Sequence, residues 1–206
     1  MKILVLGASG RVGQKIAEQA LADQHDVTAF VRTPEKLNMP DDSLTIFKGD
    51  VLNNNDLNRA MKEMDLVISA LNTDKNNTLQ RSMPGIVDAM KQNNISRIIT
   101  IGTAGILNSR TEPDLYRFQS NESKRRKTTA AEDHLTAFHY LEKTDLDWTV
   151  VCPTYLPEGE AEGNYRVEKN ALPEGGNRIT VGDTANFTYS LINSEDFLKS
   201  RVGIAY

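Results

Sequence analysis

Along the first three quarters of the chain, short apolar runs alternate with stretches of helical periodicity. Residues 2–6 (KILVL) form a run too short for a helix and closed by Gly7, which predicts a buried strand. From Arg11 onward, Val12, Ile16, Ala17, Ala20 and Leu21 recur at helical spacing as far as DQHD. The β-formers of 26–32 predict a second strand, which Pro34 in TPEK stops. LTIFKGD (44–50) predicts a third strand, 56–63 a short helix with Asp56 near its start, and DLVISAL (65–71) a fourth strand. A helix of about four turns is expected over 77–92, and SRIITIGT (96–103) is a fifth strand.

Residues 104–127 contain Gly105, Pro113 and the basic run KRRK and read as an extended loop or broken helix. A helix over 128–143 leads into the strand DWTVVC (147–152). After Pro153 turn formers dominate, with short β-like pieces at NYRVE and RITV, a last helix over 184–192 capped by Asp183, and a closing strand RVGIAY. Strands alternating with helices in this order predict an α/β fold, a doubly wound parallel sheet of Rossmann type covered on both faces by right-handed crossovers. We expect one domain over 1–206, with a small C-terminal substrate region in which 104–127 and 153–182 form the substrate side.

Composition narrows the function. A net charge of −4 argues against nucleic-acid binding, which requires a basic surface. No apolar segment approaches a membrane span, and the N-terminal apolar run is too short for a signal peptide, so a cytoplasmic location without membrane association is expected. The single cysteine, Cys152, provides neither a disulfide nor a cysteine metal cage. His134 and His139 are five apart rather than four, so no metal site is expected.

Candidate chemistry begins at GASGRVG (7–13), between the first strand and the first helix. Glycines there let the chain turn tightly, let backbone approach a pyrophosphate and let helix pack on strand. The helix that follows would aim its N-terminal amides at phosphate. A plain tight turn would use glycine too, but the strand-turn-helix context favours the dinucleotide reading. The second strand ends in Phe30, Val31, Arg32 and Thr33, with no carboxylate for an adenosine ribose. Arg32 offers a forked donor and Thr33 a hydroxyl for a 2′-phosphate, which favours NADPH over NADH; Lys36 adds charge from the next turn. Asp50 either accepts from the adenine amino group, with Val51 against the ring, or caps a turn. Ala70, Leu71 and Asn72 end the fourth strand at the same sheet edge, and Thr103 follows the fifth. KRRK (124–127) is either a solvated run or an attractor of anions, and Tyr155 and Tyr165 are placed to stack on a planar substrate.

GASGRVG, the VR pair, GDVLN, DLVISALN and VVCPTYL together resemble the atypical short-chain dehydrogenase/reductase branch with an NAD(P)H-binding domain. Within it the chain is most similar to the biliverdin IXβ reductase and flavin reductase group, with NmrA-like regulators further off. The resemblance spans nearly the whole chain. It implies that Gly7, Ser9, Gly10, Arg11, Val12 and Gly13 belong to the pyrophosphate turn and that Arg32 meets the 2′-phosphate. It implies Asp50 and Val51 at the adenine and Thr103, where the group tends to have serine, beside the nicotinamide. Pro153, Thr154, Tyr155 and Leu156 form the loop on the other side of that ring. Tyr155 stands where biliverdin reductases carry histidine, which weighs against a tetrapyrrole substrate. Neither Tyr116 nor Tyr140 has the lysine four residues on that most short-chain dehydrogenases use, so neither supplies the usual acid for ketone reduction. A flavin, quinone or similar conjugated acceptor needs less from the protein, which holds donor against acceptor. The expectation is therefore an NADPH-dependent reductase, monomeric or homodimeric, with Thr103 and Tyr155 at the reacting centre. The alternative is an NmrA-like protein that senses NAD(P)H without turnover. A nucleotide-sugar epimerase is disfavoured because it normally needs a catalytic tyrosine-lysine pair, which Tyr116 and Tyr140 do not provide, and a larger C-terminal domain.

Overall fold

A computed structural model describes the chain except residues 38 and 124–126, so most of the KRRK run lies outside the described residues. Strands β1 (Lys2–Leu6), β2 (Asp26–Val31), β3 (Leu44–Lys48), β4 (Leu66–Ser69), β5 (Arg97–Ile101), β6 (Asp147–Pro153), β7 (Arg166–Lys169) and β8 (Ser200–Ala205) make one sheet. Its order is β3-β2-β1-β4-β5-β6-β8-β7. All neighbours are parallel except β7, which runs antiparallel to β8. Helices α1 (Arg11–Ala22), α2 (Asn54–Ala60), α3 (Thr78–Gln92), α4 (Thr129–Leu141) and α5 (Val181–Ser190) cover its two faces. This is a Rossmann-like α/β fold, and the reversal of strand order falls between β1 and β4.

The period of two along each central strand divides its residues between two cores. From β1, Leu4 and Leu6 enter the core that also holds Met61, Ile86, Met90 and Phe138 of the α2, α3 and α4 side. Ile3 and Val5 enter the core of α1 and α5, with Ile16, Ala20, Ala185 and Phe187. Burial on both faces explains why these strands read as unbroken apolar runs.

The C-terminal quarter departs from the sequence reading in two places. RITV is not a strand: one bridge joins Arg178 to Tyr155, and α5 starts at Val181. The cap of α5 is Thr180, whose hydroxyl accepts from the Asp183 amide at 3.1 Å. Asp183 instead faces backward, accepting from the amides of Glu162 and Gly163 at 2.8 and 3.0 Å and from the Tyr206 hydroxyl at 2.5 Å. These donors outweigh the opposing effect of burial and hold its carboxyl below the ordinary range. Asp183 thereby fastens the loop after β6 to the last helix. Residues 104–123 are an extended loop with two short 3₁₀ turns, the first of the two expected alternatives.

Candidate functional site

Gly7 leaves β1 with φ +80, a conformation open to glycine, and an added Cβ would lie 2.8 Å from the Ala70 carbonyl oxygen. The Gly10 amide closes the turn on the Gly7 carbonyl at 2.9 Å. A Cβ on Gly13 would meet that same carbonyl oxygen at 2.3 Å, so the third glycine lets α1 approach the strand. Gly10 opens α1 without a side-chain cap, and the first helical bond runs from Gln14 to Gly10. The amides of residues 11–13 are left without intrahelical partners, the arrangement that suits an anion.

A cavity of about 380 Å³ opens beside this turn at the carboxyl edge of the sheet. Gly7, Ser9 and Gly10 line it from one side, Arg32, Thr33 and Lys36 from the end of β2, and Ala70, Leu71 and Asn72 from the end of β4. Val51 reaches it, whereas Asp50, exposed and outside its lining, accepts from the Leu52 amide at 3.0 Å as a turn cap. Sequence reasoning missed Thr73, Asp74 and Thr78 of the same wall and gave Phe30 no role beyond its place at the strand end. Asp74 accepts from the Thr78 hydroxyl at 2.7 Å and from the amides of Thr78 and Asn76 at 3.1 and 2.9 Å. The Thr78 hydroxyl leads these donors, joined by the nearby Arg32 charge, in holding the Asp74 carboxyl below its ordinary range. A carboxylate thus shares the cavity with Arg32.

A second cavity, about 290 Å³, lies farther along the same edge. Thr103, Ala104 and Gly105 follow β5 into it, Thr154 and Tyr155 follow β6, and Arg117 and Phe118 close it from the 104–127 loop. Tyr155 is 61% exposed, a ring presented to the opening. Tyr165 is elsewhere: it packs edge-on against Phe187, centroids 5.9 Å apart, in the α1–α5 core. Behind the cavity wall stands Arg201 of β8, buried and giving hydrogen bonds to the Ile106 carbonyl and to Asn108 Oδ1. Its guanidinium lies 5.3 Å from the Tyr116 ring centre and 4.8 Å from that of Phe138. It therefore joins the turn after Thr103 to the segment that carries Arg117 and Phe118.

The remaining predicted residues lie between or beneath the cavities. The Val12 side chain is buried against the sheet, Pro153 is buried at the end of β6, and Leu156 is half-buried against the α1–α5 core. Arg11 reaches from α1 to the Leu156 carbonyl and to Glu158. Two further side chains, neither of them a site candidate, pack against apolar neighbours. His134 sits among Leu79, Met83 and Phe138, where burial pushes its imidazole down to about 4. Cys152 is fully buried, which pushes its thiol up to about 12 and keeps it protonated. Among the described residues, no helix is long and apolar enough to cross a membrane.

A Gly-rich turn at the switch point, with an arginine at the end of the second strand, defines a dinucleotide-binding protein of the Rossmann type. The chain belongs to the NAD(P)H-binding family, whose model matches residues 7–195, in keeping with the atypical short-chain dehydrogenase/reductase resemblance. It is 26% identical over 195 residues to the uncharacterized protein YwnB of Bacillus subtilis (strain 168), an alignment covering 90% of this chain and 89% of YwnB. The structure of an epimerase candidate from Bacteroides thetaiotaomicron is similar at TM-score 0.88 and 28% identity, covering 100% of this chain and 96% of that one. Two further structures share the fold alone. A candidate NADH-flavin reductase from Streptococcus pneumoniae TIGR4 has TM-score 0.82, 24% identity and coverage of 100% and 99%. A wide-type short-chain dehydrogenase/reductase from Veillonella parvula DSM 2008, solved in complex with NADP, has TM-score 0.81, 18% identity and coverage of 100% and 94%.

Proposed function

We propose that the chain is an NADPH-dependent reductase that passes hydride to a flavin, quinone or similar conjugated acceptor. The observation that carries this reading is the pair of cavities on one sheet edge, the first with the glycine turn and Arg32, the second with Thr103 and Tyr155. The backbone cradle fits a pyrophosphate, because α1 starts without a side-chain cap and leaves the amides of residues 11–13 without intrahelical partners beside the glycine turn. Gly7 and Gly13 keep that turn tight where a Cβ would strike the Ala70 and Gly7 carbonyl oxygens. Arg32, Thr33 and Lys36 would hold a 2′-phosphate, and Val51 and Leu71 an adenine. NADPH supplies a hydride when bound. Thr103 and Thr154 would hold the nicotinamide end from two strand ends, while Tyr155 and Phe118 offer flat surfaces to a planar acceptor.

Tyr165 and Lys169 have the spacing of four, but Tyr165 directly precedes β7 and Lys169 ends it, so they do not share a helix. Tyr165 packs on Phe187, and neither residue lines the second cavity. That no Tyr-Lys pair among the described residues faces the acceptor supports this acceptor class. A conjugated ring delocalises the electron pair it receives with the hydride, so the matching proton follows from water and no side-chain acid is required. The Tyr116 hydroxyl is hydrogen-bonded to His139 Nε2 at 2.8 Å. The test is NADPH oxidation by the purified chain across free flavins and quinones, with simple ketones as the contrast. Turnover with the conjugated acceptors alone is expected. NADPH binding without turnover on any of them would overturn the reductase in favour of a sensor.

A further inference from the structure

One face of α1 is laced to the chain that follows β6. Arg11 Nη1 donates to the Leu156 carbonyl and to Glu158 Oε1, both at 3.1 Å. Four residues on, Lys15 meets both carboxylate oxygens of Glu160 at 3.0 Å. Gln19 then donates to Asn186, and Asp23 accepts from the Tyr189 hydroxyl at 2.7 Å. Spacing of four keeps these side chains on one helix face. Of the four rungs, the first alone stands at the glycine turn, since Arg11 follows Gly10 and opens the uncapped end of α1. Among the described residues Nη1 is the one guanidinium nitrogen of Arg11 with a hydrogen bond, so the rest of its fork is free.

We propose that Arg11 is a positioning residue, shared between a phosphate at the glycine turn and the Leu156 carbonyl, with Glu158 as its resting counter-ion. The proposal rests on the reading that the turn takes the pyrophosphate of NADPH. Two anions then compete for one guanidinium, and the half-exposed pair with Glu158 is weak enough to yield. A guanidinium serves phosphate and carbonyl at once because its N–H groups point in separate directions, whereas an ammonium is a point charge without a fixed fork. Phosphate occupancy would thereby fix the loop that carries Thr154 and Tyr155 into the second cavity. The cofactor end of the site would set the acceptor wall.

The test uses the full chain: NADPH affinity by titration calorimetry for wild type, E158Q, E160Q and R11K, and amide exchange over 153–158 with and without NADPH. Removing the competing carboxylate in E158Q should tighten NADPH about threefold. E160Q, which loosens the same strap one turn farther from the glycines, should change it less. NADPH should protect 153–158 in wild type, and R11K should keep most of the binding and lose that protection. Equal affinity in E158Q and wild type, or full NADPH-induced protection in R11K, overturns the proposal while leaving the cofactor reading intact. Failure of wild type to bind NADPH overturns both.

Discussion

Arg32 is exposed, and its position at the end of β2 was readable because the place of an arginine in a strand-turn motif is set by chain order alone. Its role has a direct test. Arg32→Ala should weaken NADPH about tenfold or more through loss of charge-assisted contacts and leave NADH nearly unchanged, as measured by titration with each nucleotide. Equal losses for both would remove the 2′-phosphate assignment. Asp74, in the same cavity, was not readable: it arrives from the loop after β4, and no local pattern tells which strand ends a loop residue faces. The same limit hid Arg201, a cation in a closing strand that packs between two rings from distant segments. Asp50 shows the reverse, since a residue in the expected place spends its carboxylate on its own turn.

At the level of elements, periodicity located the helices α1–α5 among the described residues and the inner parallel strands, because burial on both faces writes itself as uninterrupted apolar runs. It failed at RITV, where β-branched residues serve a helix start rather than a ladder. Thr180 caps α5 there, and Thr180→Ala should lower stability by about 1 kcal/mol in urea denaturation. The glycine turn is a stricter element. A methyl group on Gly13 would press on the Gly7 carbonyl 2.3 Å away, backbone against backbone, so neither side can rotate aside. Gly13→Ala should cost about 1–3 kcal/mol of stability and weaken nucleotide binding further than stability alone explains. An alanine variant with unchanged melting and unchanged affinity would contradict the close helix-strand approach.

For the molecule as a whole, stability should depend on pH through His134. Burial lowers its imidazole from the ordinary 6.5 to about 4, so the folded state takes up a proton less readily than the unfolded chain. The contribution of the neutral ring is complete above pH 6.5 and is lost as pH falls toward 4. Urea midpoints measured across that interval should decline in wild type, and His134→Leu should flatten that part of the curve. The parallel sheet with right-handed crossovers was legible in the alternation of strands and helices, whereas the placement of β8 between β6 and β7 was not. β7 runs antiparallel to β8, and the crossover rule for parallel strands does not fix the connection through α5.

That placement carries a consequence for synthesis. β7 is made before β8 yet pairs with nothing else, and β6 lacks its outer neighbour until the same residues emerge. While the chain grows from the ribosome, the first six strands can assemble in turn, but β6, which leads into the wall bearing Thr154 and Tyr155, gains its outer neighbour only with β8. A nascent chain halted before Ser200 should therefore offer nucleotide a formed glycine turn beside an unfinished acceptor wall.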